Sequence, residues 1–211
     1  MKHLIIEDLS WRYATKKYNP ELKISDENIE IIKESLRLVP TSYGLFPLKY
    51  IFIESKEIRE KLRSNAWGQS QITDASHLLV ICSFIQLDHS YIDEHIALTA
   101  KIRNIDPSSI QGYGNFVKTK IDEMSAEKHS DWNAKQPYIA LGQLMHTCAS
   151  LRIDATPMEG FEPAAFDEIL DLGKDNLKSV LVCAMGYRSE EDNNQHLAKV
   201  RKNIEDIFEI K

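Results

Sequence analysis

The chain has 211 residues, 43% of them apolar, 9% aromatic and 27% charged, an ordinary globular composition that argues against intrinsic disorder. Its 26 basic and 32 acidic residues give a net charge of −6, which argues against a chain whose main work is gripping nucleic acid but leaves room for a local phosphate site. No apolar run reaches the roughly 18 residues of a membrane span, and Met1-Lys2-His3-Leu4-Ile5-Ile6-Glu7-Asp8 meets acid before a signal-peptide core can form.

In chain order, Leu4, Ile5, Leu9 and Tyr13 share the face of an opening helix. Ser25 reads as an N-cap for a helix carrying Ile29, Ile32, Leu36 and Leu38, which Pro40 ends. A loop bracketed by Pro40 and Pro47 leads into a β-rich run, Leu48-Lys49-Tyr50-Ile51-Phe52-Ile53. Residues 56–66 read as helix. Residues 75–84 are almost continuously apolar and predict a central strand buried on both faces.

Residues 90–105 and 115–127 read as helices, with Asp106-Pro107-Ser108-Ser109 and Gly112-Tyr113-Gly114 marking the loop between them. Residues 131–151 predict the longest helix, with Tyr138, Leu141, Met145 and Cys148 in one stripe. Ile139, Leu144 and Leu151 add apolar surface elsewhere, so this helix is expected to be buried on several sides. Residues 155–161 form a loop or short strand, 163–170 a helix and 179–187 a third strong strand. Few strands and helices without regular βαβ spacing favour an α+β class, a small sheet covered by helices, in one domain spanning 1–211.

No glycine phosphate loop and no HExxH occur, and His89, Asp93, Glu94 and His95 read as a solvated helical face, so no metal is expected. Cys82, Cys148 and Cys183 sit among apolar residues and read as buried thiols of a cytoplasmic protein. Two basic groups are more suggestive: Arg12 with Lys16 near one end, and Lys199 with Arg201 near the other. Together they could converge on a phosphate, although spacing alone does not show it.

These residues carry a resemblance. Arg12-Tyr13-Ala14-Thr15-Lys16-Lys17-Tyr18 resembles the R-x-S-x-K/R-x-F/Y opening of the FMN-dependent nitroreductase family. Pro40-Thr41-Ser42 with Pro47, Gln69-Ser70-Gln71 before Asp74-Ala75-Ser76, Pro157-Met158-Glu159-Gly160-Phe161, and Gly186 followed by Lys199 and Arg201 are similar to its later motifs. The matches fall in order along almost the whole chain, nearest the oxygen-insensitive branch that reduces nitro compounds, quinones and flavins.

The resemblance implies an intertwined homodimer with a small, mostly antiparallel sheet and two FMN molecules at the interface, reduced by NADH or NADPH. It puts Arg12, Lys199 and Arg201 on the FMN phosphate, with Ala14 where serine is usual. Lys16 would lie near the pyrimidine edge or ribityl chain. Thr41, Ser42 and Tyr43 would reach the flavin of the other subunit. Gln69 and Gln71 would touch the ribityl or ring edges, Gln71 standing where some relatives have lysine. Pro157 and Met158 lead to Glu159 and Gly160, whose backbone N–H groups would face N5 and O4.

No side-chain acid or base is required, because the flavin carries the hydride chemistry. Residues 88–130 correspond to the family's variable excursion over the flavin, with Tyr113 and Phe116 as candidate pocket walls. Tyr43, Gly44 and Phe46 replace the polar residues common in their loop and imply a more apolar or narrower mouth. The implied reaction is ping-pong reduction of a small-molecule acceptor, with no nucleic acid or membrane involved. The alternatives are another flavin enzyme on the same fold, a dehydrogenase or dehalogenase, and a non-catalytic flavin-binding protein.

Overall fold

A computed structural model describes residues 4–211; Met1, Lys2 and His3, which belong to the segment read above for a signal peptide, lie outside the described residues. The core is a four-stranded sheet in the order β1-β2-β4-β3 (β1 Leu48–Ile53, β2 His77–Phe84, β3 Asp154–Met158, β4 Leu177–Gly186), antiparallel at every pairing. β2 lies inside the sheet with six consecutive buried residues, as its unbroken apolar run requires.

Alternation along β2 sorts the core into two layers. Leu79 and Ile81 face α2 (Asp26–Arg37) and α8 (Gln136–Ser150), packing with Ile32, Leu36, Leu144 and Cys148. Leu78, Val80 and Cys82 face α3 (Lys56–Ser64), the short α4 (Gln71–Asp74) and α9 (Pro163–Ile169), packing with Leu62, Ile72 and Phe166. α1 (Leu4–Trp11) stops before Tyr13, so that ring leaves the expected helical face. Ser25 caps α2 as expected, accepting the Asn28 N–H, and Leu38 falls outside the helix at 60% exposure.

The segment between β2 and β3 departs most from expectation. Gly112, Tyr113 and Gly114 are not loop: α6 runs Gln111–Asp122, after α5 (His89–Arg103) and a 3₁₀ turn at Pro107–Ile110. The glycine is there for packing, since a Cβ on Gly114 would lie 2.9 Å from Ile96 Cγ1. Ile96 and Ile92 of α5 meet Val117 and Ile121 of α6 in a third apolar cluster, and His89–Asp122 (2.9 Å) and Lys118–Asp93 (2.6 Å) pairs tie the same two helices at the surface.

The expected helix over 115–127 is broken after Asp122, where Ser125 caps a new one, α7 (Ala126–Ala134). The expected helix over 131–151 is likewise two. Pro137 lacks an N–H, fits a first turn, and so opens α8 rather than continuing α7. α8 buries Leu141, Leu144 and Cys148, but Tyr138 and Ile139 stand half exposed, so it is not covered on all sides.

Cys82, Cys148 and Cys183 are buried and unpaired. Burial pushes the Cys82 and Cys183 thiols up to about 12, which keeps them protonated and inert. Among the described residues no helix is long and apolar enough to cross a membrane.

Candidate functional site

Segments from the first 19 residues described and from those that follow β4 meet beside β3 and β4. Residues 17–19 run beside 187–189, with Asn19 N–H on the Tyr187 carbonyl (2.9 Å) and Ser189 N–H on the Lys17 carbonyl (2.9 Å). Inward, the Tyr18 hydroxyl donates to the Ala184 carbonyl (2.8 Å), Thr156 Oγ1 donates to the Thr15 carbonyl (2.8 Å), and Thr15 Oγ1 donates to Asp154 (3.2 Å).

Two carboxylates fix this arm. Asp192, 1% exposed, accepts the backbone N–H groups of Lys16 (2.7 Å) and Lys17 (3.2 Å) and the Tyr13 hydroxyl (3.0 Å). Burial alone would raise its pKa, but the Asn194 side chain and the backbone N–H groups of Lys16, Lys17 and Asn194 outweigh burial and hold it at about 2. Since the folded pKa is the lower one, this anchor is fully in place above the ordinary carboxylate range and is lost as pH falls toward about 2. Limited proteolysis on an acid series is expected to show residues 12–19 becoming cleavable before global unfolding.

Asp154, buried at the start of β3, takes the Arg188 guanidinium (Nη2–Oδ1 2.6 Å) and its backbone N–H (2.8 Å). That guanidinium also lies 4.3 Å from the Trp11 ring and 4.6 Å from the Tyr13 ring, so both neighbours of Arg12 stack on one cation.

Between these supports is a cavity of about 400 Å³ lined by Arg12, Ala14, Lys199 and Arg201, with no acidic residue in its wall. Lys199 Nζ donates to the Arg12 carbonyl. Arg12 Nε is buried with no hydrogen-bond partner among the described residues. Burial and the charge of Arg201 lower the pKa of Arg12, and burial, Arg12 and Arg201 lower that of Lys199. Three cations held together without an acid, one with a desolvated free donor, suit an anion. Lys16 is exposed beside this cavity rather than in its wall.

A second group forms after β3. Gln69 Nε2 donates to the Gly160 carbonyl (2.8 Å) and the Ala66 carbonyl (3.1 Å), and the Tyr138 hydroxyl donates to Glu159. Trp67, left-handed at φ 54° and 74% exposed, lays its ring against Gly160; a Cβ there would come within 2.6 Å of Trp67 Cζ3, so a larger residue would have to displace that ring. Gln71 opens α4 and is buried. Pro157 and Met158 pair with Cys183 and Val182 in the sheet, and the Met158 side chain belongs to the core.

The third group is the loop after α2. Thr41 Oγ1 accepts the Phe46 N–H (2.9 Å), and the Ser42 N–H donates to Gln136 (2.9 Å). Tyr43, at φ 55°, offers its carbonyl to the Tyr113 hydroxyl (3.0 Å) and its ring to the edge of Phe116 (centroids 6.1 Å) and to Trp132 (5.8 Å). The two expected wall residues thus meet the expected flavin-reaching loop. Gln136 and Tyr138, two apart at the start of α8, project about 200° from one another, so the 41–43 loop and the Glu159–Gly160 turn lie on different sides of that helix.

The expected residues therefore gather as three groups within one chain. The sequence reading missed Trp67, Tyr138, Asp154, Arg188 and Asp192; Trp67 and Arg188 each lie two residues from a quoted motif residue, Gln69 and Gly186, and the others carry no local signal.

Comparisons with known proteins agree with one another. The model of the nitroreductase family matches residues 9–187, leaving Lys199 and Arg201 beyond the match. The chain is 33% identical over 222 residues to the major NAD(P)H-flavin oxidoreductase of Aliivibrio fischeri, covering all of both chains. A nitroreductase-like protein of Streptococcus mutans shares the fold at a TM-score of 0.85, with 17% identity and 100% of each chain covered. A protein of Exiguobacterium sibiricum solved in complex with FMN superimposes at 0.83, with 22% identity, over 98% of this chain and 97% of that one.

Proposed function

As this chain belongs to the nitroreductase family, we propose that it is a homodimeric FMN-dependent NAD(P)H oxidoreductase that reduces nitro compounds, quinones or related acceptors in ping-pong fashion. The observation that carries the reading is the cavity of Arg12, Lys199 and Arg201, where the buried, unpartnered Arg12 Nε fits one terminal phosphate. When bound, FMN would supply the redox chemistry, hydride transfer between NAD(P)H and the acceptor. The protein's part is to bind and orient: the three cations hold the phosphate, Gln69 and Gln71 the ribityl and ring edges, and the Glu159–Gly160 backbone the ring.

A second copy supplies Thr41, Ser42 and Tyr43 in this reading. Two observations support a dimer. The chain exposes 12721 Å², well above the ~10,000 Å² expected of a compact monomer of 24.3 kDa. Leu197, Val200, Ile204 and Phe208 are each at least 70% exposed, an uncovered apolar strip on the last residues. The whole chain acts as one domain, with 88–130 as its excursion, and the three unpaired buried thiols suit a cytoplasmic site.

Purified protein is expected to be yellow and to bleach under anaerobic titration with NADH or NADPH. Protein that stays colourless after FMN is added defeats the reading, and flavin that neither nucleotide bleaches leaves only a binder. Lys16→Ala is expected to lower the flavin midpoint potential by ~30 mV, because a cation near the pyrimidine edge favours the reduced, anionic ring. An unchanged potential removes Lys16 from that role.

A further inference from the structure

Away from the cation cavity, a space of about 400 Å³ opens between α5 and the Tyr43–Gly44 turn, within the range of small-molecule sites. α5 places His95, Thr99 and Arg103 at intervals of four, so the three stack along one face and line this space. Ile110 and the Tyr113 ring form the apolar side. No acidic residue lines it. The acids of α5 are directed elsewhere: Asp93 pairs with Lys118 (2.6 Å), and Glu94 lines a neighbouring surface with Leu98.

The polar groups divide into committed and free. Thr99 Oγ1 donates to the His95 carbonyl (2.8 Å), and the Tyr113 hydroxyl donates to the Tyr43 carbonyl (3.0 Å). Arg103 forms no ion pair among the described residues, and the His95 ring makes no hydrogen bond there. Burial and the charge of Arg103 lower the His95 pKa, so at neutral pH the imidazole is uncharged and Arg103 is the single cation. An apolar slot ending in one free guanidinium matches a molecule with a flat apolar body and one carboxylate.

We propose that this cavity is an acceptor subsite for aromatic carboxylates, with Arg103 pairing the carboxylate, His95 hydrogen-bonding to it and the ring lying against Ile110 and Tyr113 beside Tyr43. The assignment of the ligand as an acceptor rests on the reading above, in which Tyr43 reaches the flavin. The cavity itself does not depend on it.

The test compares 4-nitrobenzoate with its methyl ester, which carry the same reducible group and differ in charge. Arg103→Gln is expected to raise KM for 4-nitrobenzoate roughly tenfold, leave kcat unchanged and leave the ester within about twofold, with Arg103→Lys partly restoring the preference. Equal loss on both acceptors, or a rise in KM for NADPH instead, overturns the proposal. Benzoate binding to the protein as purified, followed by ligand-observed NMR, judges the cavity separately. Binding that Arg103→Gln weakens roughly tenfold supports the subsite even if no flavin is taken up, and binding that the substitution leaves unchanged refutes it.

Discussion

Arg12→Gln is expected to weaken FMN binding about 100-fold, a loss of about 3 kcal/mol, while leaving riboflavin binding unchanged. Among the described residues, the guanidinium is the one member of the cation group with a buried donor that no partner satisfies. A phosphate oxygen there gains a charge-assisted hydrogen bond that water no longer competes for. Lys199 already spends one donor on the Arg12 carbonyl, so Lys199→Gln is expected to cost about tenfold.

Stability gives an independent reading with the opposite sign. Burial above all, and then the charge of Arg201, lower the pKa of Arg12, which marks a guanidinium held against both desolvation and repulsion. Removing Arg12 therefore leaves the flavin-free protein as stable or slightly more so, and shrinks only the rise in Tm that FMN produces. Fluorescence titration with both ligands decides the matter. A loss of similar size for riboflavin would mean that Arg12 acts on the ring or on folding and not on the phosphate.

Legibility in the sequence follows the range of the interactions. β1 coincides with its expected range because six residues rich in aromatic and β-branched side chains carry their own signal, and the buried run of β2 and the Ser25 cap are local in the same sense. Gly114 misled because glycine, read as loop, here sits within a helix and admits Ile96 at close range; the helix expected over 131–151 ran through Pro137, which instead starts a new one.

In the site, motif resemblance brought out Arg12, Lys199 and Arg201, which line one cavity although nearly the whole chain separates them. What aims them was not legible. Asp192 holds the backbone of Lys16 across 176 positions, and Asp154 meets Arg188 across 34; neither acid stands in a pattern that distinguishes it from a solvated one.

Asp154→Ala is expected to produce the largest stability loss, about 3 kcal/mol or a fall in Tm of roughly 10 °C. The carboxylate is 2% exposed, and its loss strips the Arg188 guanidinium and N–H and the Thr15 hydroxyl of their acceptor at once. The arginine would be left one-fifth exposed without a counter-charge, the arrangement in which a broken ion pair costs most. Asp154→Asn keeps an acceptor oxygen without the charge and is expected to lose less.

The consequence reaches the cofactor because Trp11 and Tyr13 stack on that same guanidinium on either side of Arg12. Measured well below both unfolding midpoints, FMN affinity in Asp154→Ala is expected to fall about tenfold, since an Arg12 free to move must be ordered again at the expense of binding energy. A variant that loses stability but keeps FMN affinity would make the Asp154–Arg188 pair a brace for the sheet edge alone. A variant that loses both, while Asp154→Asn recovers them together, ties the brace to the position of Arg12.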